Sequence, residues 1–209
     1  IKDRNILIKC FNNTEMHVDS HVFSSMIHLY VDNIVTGIDC LGSTVIAVNG
    51  SIIPIDEFTL NGSTAEEALR RGWAYDSNGK YWFKNGAKFR HMYWPIIETF
   101  DLGQYSFADV GGRIVVDVGA FVGDTAIYFA LKGAKKVYAV EPHPGAYAEM
   151  LENIKLNNME GKVVPINAAL GSRSGRIKIP NVDVNMTGGT YHGLGSDGDV
   201  EVSMITLGQ

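Results

Sequence analysis

The sequence predicts an α/β protein with a β-rich N-terminal domain over residues 1–92 and a Rossmann-like, doubly wound sheet over residues 93–209. Two observations predict this division. Short apolar runs separated by Asn-Gly pairs fill the first part, which is typical of antiparallel hairpins. From Tyr93 onward, apolar strands alternate with helical patterns, which is typical of a parallel sheet joined by crossover helices.

Hairpins account for most of the structure predicted for the N-terminal domain. Its four Asn-Gly pairs lie at residues 49–50, 61–62, 78–79 and 85–86. Such pairs tolerate the positive φ angles that two-residue turns require. The clearest meander covers residues 72–92. One short helix is also expected, with Ser63 as its cap, Glu66 three residues later and Gly72 after its last turn.

Alternation along residues 80–90 predicts a hairpin with two different faces. We expect Lys80, Lys84 and Trp82 to point outward, and Tyr81 and Phe83 to point inward. Basic and aromatic side chains are also interleaved in proteins that bind single-stranded nucleic acid. Because strict alternation is sufficient to explain the pattern, we favour an ordinary amphipathic sheet.

The sequence of the second domain predicts strands and helices in alternation. Pro95 is well placed to open a short helix that runs through Phe100. Further strands are expected at residues 114–118, 137–140, 162–167, 176–179 and 200–207, and helices at residues 124–132 and from Pro144 onward. This order is that of a parallel sheet with helices on its faces.

Composition sets broad limits on function. The chain has 209 residues, of which 45% are hydrophobic and 20% charged, and this excludes a disordered or collagen-like protein. Its net charge is −5, with 9 basic and 11 acidic side chains in residues 1–100 and 9 and 12 in residues 101–209. Neither half is basic, so a nucleic-acid partner is not expected. No apolar run approaches the length of about 20 residues that a membrane helix needs, so no membrane partner is expected either.

Cysteine and histidine spacing predicts neither a cross-link nor a metal site. Cys10 and Cys40 lie thirty residues apart without a paired spacing, which favours a reducing, cytoplasmic setting over a disulfide framework or a zinc site. His17 and His21 are spaced like metal ligands on a helix, but the β character around them argues against helical pairing. We therefore predict no metal.

A glycine turn between the strand at 114–118 and the following helix predicts a ligand site. Gly119 and Gly123 would let the backbone approach a ligand, although glycines also serve packing alone in such turns. Phe121 and Asp124 stand where a dinucleotide fingerprint has glycines, and a ring and a carboxylate both oppose a diphosphate. The turn favours S-adenosylmethionine, whose cationic groups Asp117 or Asp124 could stabilise. Asp124 could instead cap the helix.

Residues after the next two strands favour the same nucleoside. Glu141 lies 24 residues after Asp117, close to the offset of about 20 residues at which an acidic side chain binds ribose hydroxyls. The stiff turn of Pro142, His143 and Pro144 could set the imidazole ring against adenine. Asn167 could meet the adenine edge with both a donor and an acceptor.

At these positions the sequence resembles the FkbM family of S-adenosylmethionine-dependent methyltransferases. Its matching segments are residues 115–125, 140–144, 152–157 and 167–171, together with the lead-in at 86–105. The resemblance implies a methyltransferase sheet in which Ala120, Ala168, Glu98 and Tyr105 also line the cofactor site. It further implies O-methylation of a hydroxyl on a sugar or small metabolite.

Several functional alternatives stay open beside this prediction. Residues 133–138 and 152–157 also resemble tRNA guanine methyltransferases, although the acidic charge and the lack of an Asn-Pro-Pro-Tyr motif oppose that interpretation. A non-catalytic binding module with a methyltransferase-like scaffold is a third hypothesis. His192 is a candidate general base. Because only 92 residues follow Asp117, we expect about half to two-thirds of a seven-stranded sheet, completed by a further segment or another chain of a homo-oligomer.

Overall fold

The structure is a computed structural model that describes residues 5–10, 13–180, 184 and 199–208, with only the backbone described at 59–63. The chain divides into two compact units, Ile1–Tyr93 and Trp94–Gln209. Among the described residues, helices are too short or too polar to cross a membrane.

The N-terminal unit combines small antiparallel sheets with two helices. Strands β1 (Asn5–Lys9) and β2 (Glu15–Asp19) pair with each other, and helix α1 (Ser20–Val31) follows directly. Strands β3 (Val35–Asp39), β4 (Thr44–Ala47) and β5 (Ile52–Pro54) form a second sheet. Helix α2 (Asp56–Arg70) packs against α1.

A three-stranded meander completes this unit and confirms the hairpins expected there. Strands β6 (Ala74–Asp76), β7 (Tyr81–Lys84) and β8 (Ala87–Phe89) pair in sequence order. The turn between β7 and β8 has Asn85 at φ 49° and Gly86 at φ 86°, as the Asn-Gly pair predicts. The pair at residues 61–62, by contrast, lies inside α2 and forms no hairpin.

Two expectations for this unit are wrong, and one about its histidines is confirmed. Helix α1 was not expected, although Asp19 Oδ1 caps it by accepting from the amide of His21 and Val22, Met26 and Leu29 form its buried stripe. Helix α2 begins at Asp56 rather than beside Ser63. His17 lies in β2 and His21 in α1, so these two histidines do not share a helix face.

The two cysteines are also placed differently from the prediction. Cys10, just after β1, and Cys40, in the β3–β4 turn, form a disulfide with a Cα–Cα distance of 6.4 Å. Their sequence separation of thirty residues gave no signal of this, because cysteine spacing does not reveal which turns fold back together. The cross-link joins the β1–β2 hairpin to the β3–β4 hairpin.

The C-terminal unit is built on a parallel sheet. Helix α3 (Trp94–Phe100) leads into β9 (Ile114–Val118), α4 (Asp124–Leu131), β10 (Lys136–Val140), α5 (Pro144–Leu156) and β11 (Val163–Ile166). The three strands are all parallel, in the order β11–β10–β9. Strands β12 (Ala169–Leu170), β13 (Gly175–Ile179) and β14 (Val200–Ile205) form a further sheet with β14 in the middle.

One face of the parallel sheet carries the core of this unit. Val137 and Ala139 of β10 are fully buried there against Met150 and Ile154 of α5 and apolar residues of α4. The opposite face exposes Ile114, Val116 and Val118 within the described part of the chain. The parallel order brings the carboxyl ends of the strands to one edge, where the turns that follow them meet.

Candidate cofactor site

The turn between β9 and α4 has an unusual backbone. Gly119, Phe121 and Gly123 have φ angles of 76°, 47° and 85°, all in the left-handed region. The amides of Gly119 and Ala120 both donate to the carbonyl of Val140, at 2.9 and 3.1 Å. These bonds hold the turn against the end of β10 and fix the direction of its backbone.

The two glycines of this turn serve different purposes. A Cβ atom at Gly123 would lie 2.9 Å from Cγ of Met150, so this glycine is required for packing against α5. A Cβ atom at Gly119 would meet nothing within 4 Å. Gly119 therefore keeps the backbone accessible, as expected for a position that a ligand approaches.

Glu141 links the glycine turn to the turn after β10. The carboxylate is buried, and it accepts from the amide of Phe121 through Oε2 at 2.9 Å and from the amide of His143 through Oε1 at 2.8 Å. Burial raises its pKa, while these two amides lower it. The observed function of Glu141 is to stabilise the left-handed Phe121, and its contact with ribose stays a prediction.

The remaining residues predicted to contact adenine make contacts within the protein. His143 is buried, and its Nδ1 accepts from the amide of Ala146 at 3.3 Å, so it caps α5. Asn167 Nδ2 donates to the carbonyls of Glu141 and Pro142, at 2.9 and 3.3 Å. Ala168, next to it, is buried. These side chains fix the loops at the strand ends, and their adenine contacts stay predictions.

A cavity of about 180 Å³ opens beside β9 and α3. It is lined by Pro95, Glu98, Gln104, Tyr105, Asp117, Val118, Gly119, Phe121, Asp124 and Thr125. Sites for whole drug-sized ligands usually measure about 300 to 1,000 Å³, so this cavity fits part of a cofactor. Its three acidic side chains favour the cationic end of such a molecule.

Two carboxylates, of buried Asp124 and partly buried Asp117, dominate the electrostatics of the cavity. Asp117 Oδ2 accepts from Thr125 Oγ1 at 2.5 Å, and Asp124 Oδ2 accepts from Thr99 Oγ1 at 2.9 Å. Burial raises the pKa of Asp117 to about 6. Burial, reinforced by the charge of Asp117, raises the pKa of Asp124 to about 7. A bound cation would offset this cost of holding two negative charges in one cavity.

Asp124 does not cap helix α4. The N-cap residue is Gly123, which has no side chain to accept a hydrogen bond, and the carboxylate of Asp124 instead reaches Thr99 of helix α3. The interpretation of Asp124 as the helix cap is therefore wrong. Its contact with α3 places it in the wall of the cavity.

Sequence patterns did not single out three residues that build this site. Thr99 is almost fully buried where the surrounding pattern of helix α3 is apolar, and Thr125 follows Asp124 in the first turn of α4. Asn153 of α5 is fully buried and donates through Nδ2 to the carbonyl of Val122 at 2.9 Å. A buried polar residue on an otherwise apolar helix face is the signal that could have identified Thr99 and Asn153.

Two further predictions concern a general base and a metal. His192, the candidate base, lies outside the described residues. Within the described part of the chain, His, Cys, Asp and Glu side chains form no cluster of three or more suited to a metal ion.

Residues 106–184 match the family model of the TRM5/TYW2 methyltransferase domain. This match confirms the predicted fold class, a Rossmann-like methyltransferase sheet, and S-adenosylmethionine as its cofactor. It covers the glycine turn, Glu141 and Asn167. The predicted membership of the FkbM family is wrong, because the matching model is that of a different methyltransferase family.

Relatives of known function match the same kind of domain. The chain is 46% identical over 55 residues to the ribosomal protein L11 methyltransferase of Carboxydothermus hydrogenoformans, covering 26% of this chain and 18% of that protein. It is 47% identical over 53 residues to the tRNA (guanine(37)-N(1))-methyltransferase Trm5b of Methanocaldococcus jannaschii, covering 25% and 15%. The chain thus spans less than a fifth of the length of these relatives.

Among solved structures, Trm5b from Pyrococcus abyssi is similar at 32% identity, with a TM-score of 0.34 and coverage of 40% of this chain and 26% of that one. The predicted partner class, a glycan or small-molecule acceptor with nucleic acid not expected, is wrong because the matching family and Trm5b of Methanocaldococcus jannaschii point to nucleic acid. Net charge misled this prediction because the charge of each half averages over about a hundred residues.

Proposed function

We propose that this chain is part of a tRNA methyltransferase that transfers the methyl group of S-adenosylmethionine to a base. The observation that carries the proposal is the match of residues 106–184 to the TRM5/TYW2 domain, which includes the cavity-lining residues from Asp117 to Thr125. The identity of 47% to Trm5b over 53 residues supports the same substrate class.

The residues of the cavity fit this cofactor. Partly buried Asp117 and buried Asp124 are carboxylates with raised pKa values, and Glu98 adds a third acidic side chain to the lining. Together they would hold the ammonium group and orient the sulfonium centre. Gly119 leaves space for the cofactor beside the backbone. When bound, the cofactor supplies an electrophilic methyl group.

Positioning accounts for most of what the described residues contribute to methyl transfer. In an in-line displacement, the acceptor atom, the methyl carbon and the sulfur must be collinear. Glu141 and Asn153 hold the turn at Gly119–Gly123 in one conformation, and the turn would thereby fix the position of the bound cofactor for this alignment. A ring nitrogen that carries a proton must also lose it during the reaction, which requires a general base.

Binding of the cofactor tests the first part of the proposal. Isothermal titration with S-adenosylhomocysteine and S-adenosylmethionine should show one site in the wild-type protein. Asp117→Asn should weaken the binding of S-adenosylmethionine more than tenfold, because it removes a partly buried negative charge beside the cation. Asp109→Asn, at an exposed carboxylate paired with Arg113, is the matched control. Absence of binding by the wild-type protein would contradict the proposal.

Transfer of a tritiated methyl group tests the acceptor. Unmodified tRNA transcripts should be labelled, and ribosomal protein L11 serves as the competing acceptor because an L11 methyltransferase is also similar to this chain. Labelling of the protein but not of tRNA would replace the proposed acceptor with a protein. If tRNA is labelled, nuclease digestion and chromatography of it identify the methylated base.

A further inference from the structure

We propose that the exposed face of the β6–β8 meander is a binding surface for single-stranded RNA, an inference that rests on the tRNA acceptor of the proposed function. This meander face consists of Tyr81, Phe83 and Lys88, with Arg90 at its margin. All four side chains belong to the N-terminal unit. The surface would hold a stretch of unpaired nucleotides by stacking and by attraction of phosphates.

The meander buries the face that the sequence was expected to expose. Trp82 is fully buried, with its Nε1 donating to Glu57 Oε2 at 2.9 Å, while Phe83 is 41% exposed and Tyr81 is partly exposed. The expectation of Trp82 outward with Tyr81 and Phe83 inward is therefore wrong. The physical reason is that alternation separates two faces without telling which one packs on the rest of the unit. The rings of Tyr81 and Phe83 therefore face solvent, and Lys88 of the neighbouring strand β8 lies opposite Phe83.

The two aromatic rings lie side by side on this surface. The centroids of Tyr81 and Phe83 are 6.0 Å apart, with their planes at 66°. Tyr81 is held in place because its hydroxyl donates to Asp76 Oδ2 at 3.0 Å. The more exposed ring of Phe83 offers a flat face on which a nucleobase can stack without regard to its sequence, and the fixed ring of Tyr81 lies edge-on beside it.

Cationic groups surround the rings. The Nζ atom of Lys88 lies 5.3 Å from the centroid of Tyr81, and Lys88 is directly opposite Phe83 in the strand register. Arg90 Nη1 donates to the carbonyl of Gly79 at 2.6 Å, which places its guanidinium group at the β6–β7 turn. Such positive charges attract the phosphates of a nucleic-acid backbone.

Basic residues are concentrated in the sequence around this surface. One of them, Lys84, lies on the Trp82 side of β7, where its Nζ donates to the carbonyl of Arg71, and the carboxylate of Asp76 lies beside Tyr81. Residues 77–97 contain no acidic side chain, yet they hold Lys80, Lys84, Lys88 and Arg90. These are four of the nine basic residues in positions 1–100, in a chain whose net charge is −5. Such a local positive patch selects an anionic polymer over a neutral glycan or an apolar peptide. The combination with stacking rings favours RNA in particular.

Fluorescence anisotropy with a labelled twelve-nucleotide single-stranded RNA of mixed sequence tests the surface on the whole chain. Phe83→Ala and Phe83→Leu should each weaken binding at least about fivefold, because both remove the flat ring while the second keeps apolar bulk. Lys88→Ala should lower the dependence of log Kd on log salt by about one. Tyr30→Ala and Lys9→Ala are matched controls, since Tyr30 is 59% exposed and the Lys9 side chain is 74% exposed in the same unit.

The same variants are then assayed for methyl transfer to tRNA. Unchanged RNA affinity in both Phe83 variants, or no RNA binding by the wild-type protein, would overturn the proposal that this surface binds RNA. Wild-type transfer to tRNA with unchanged KM in the variants would overturn it as well and leave the proposed function standing. Weakened RNA binding in the variants without any methyl transfer to tRNA would instead support the surface and reject the proposed acceptor.

Discussion

Thr99 Oγ1 donates a 2.9 Å hydrogen bond to Asp124 Oδ2, joining helix α3 to the first turn of helix α4 across the wall of the cavity. The bond lowers the pKa of Asp124, but burial outweighs it and leaves the pKa near 7. Asp124 thus titrates in the range where cells and most assays operate. Its protonation state therefore makes the stability of the folded protein depend on pH.

The raised pKa of Asp124 predicts that the protein loses stability as pH rises. A carboxyl group whose pKa is about 7 when folded and 3.8 when unfolded stabilises the folded state fully below pH 4, and this contribution disappears as pH passes 7. Asp124→Asn should therefore be more stable than the wild type at pH 8, by at most about 4 kcal/mol, because its amide oxygen can still accept from Thr99. Calorimetry at pH 4.5 and pH 8 measures this.

Asp109→Asn serves as the control for this comparison. Asp109 is exposed and pairs with Arg113, so its replacement should change stability little at either pH. A wild-type protein whose melting temperature is the same at pH 4.5 and pH 8, with Asp124→Asn no more stable at pH 8, would show that Asp124 is charged at no cost.

Gly119 and Gly123 should respond differently to replacement by alanine. Both positions have positive φ, which costs an alanine about 1 to 2 kcal/mol. Gly123→Ala adds a contact of 2.9 Å with Cγ of Met150, so it should destabilise the protein more than Gly119→Ala does. Gly119→Ala instead places a methyl group at the cavity, where it should weaken cofactor binding.

Measuring both the melting temperature and the Kd for S-adenosylhomocysteine separates these effects. Gly161→Ala is a useful reference, because Gly161 has open space around its Cβ position and no positive φ. Equal loss of stability in the Gly119 and Gly123 variants, with unchanged cofactor affinity in Gly119→Ala, would refute the distinction between a packing glycine and a ligand-facing one.

How far the sequence predicts the site depends on which interactions are local. The strand at residues 114–118 and the helix that follows were predicted because their apolar pattern and flanking glycines lie within a few residues. The bonds of Thr99 to Asp124 and of Asn153 to Val122 join residues 25 and 31 positions apart, and no local pattern reports them. Glu141 was identified by its spacing, whereas its two amide partners became visible only in the structure.

In the N-terminal unit, the sequence predictions are wrong where one sequence pattern is compatible with two different structures. Residues around His17 and His21 suggested strand alone, but Asp19 ends β2 and caps α1 within the same stretch. In the meander, burial of Trp82 rather than Phe83 follows from packing against the rest of the unit, which alternation does not specify. The cap of α1 is a local interaction, whereas long-range packing decides the burial of Trp82.

Replacement of Glu141 should loosen the glycine turn between β9 and α4. Glu141→Gln keeps one oxygen but presents an amide donor to one of the two donating amides, of Phe121 or His143, so one buried hydrogen bond is lost. We expect a loss of about 1 to 3 kcal/mol in the free energy of unfolding. Glu160→Gln, at an exposed position, is the control. Denaturant unfolding that shows equal stability for both variants would contradict a structural function for Glu141.

The disulfide between Cys10 and Cys40 should stabilise the N-terminal unit. Closing a loop of thirty residues restricts the unfolded chain and contributes about 3 to 4 kcal/mol in the chain-entropy estimate. Reduction with dithiothreitol should therefore lower the melting temperature of this unit, and the double variant Cys10→Ser/Cys40→Ser should melt at the lower temperature with or without reductant. Mass spectrometry of non-reduced peptides checks the cross-link directly. Two freely alkylated thiols in protein purified without reductant would show that the cysteines stay reduced, as the predicted cytoplasmic setting requires.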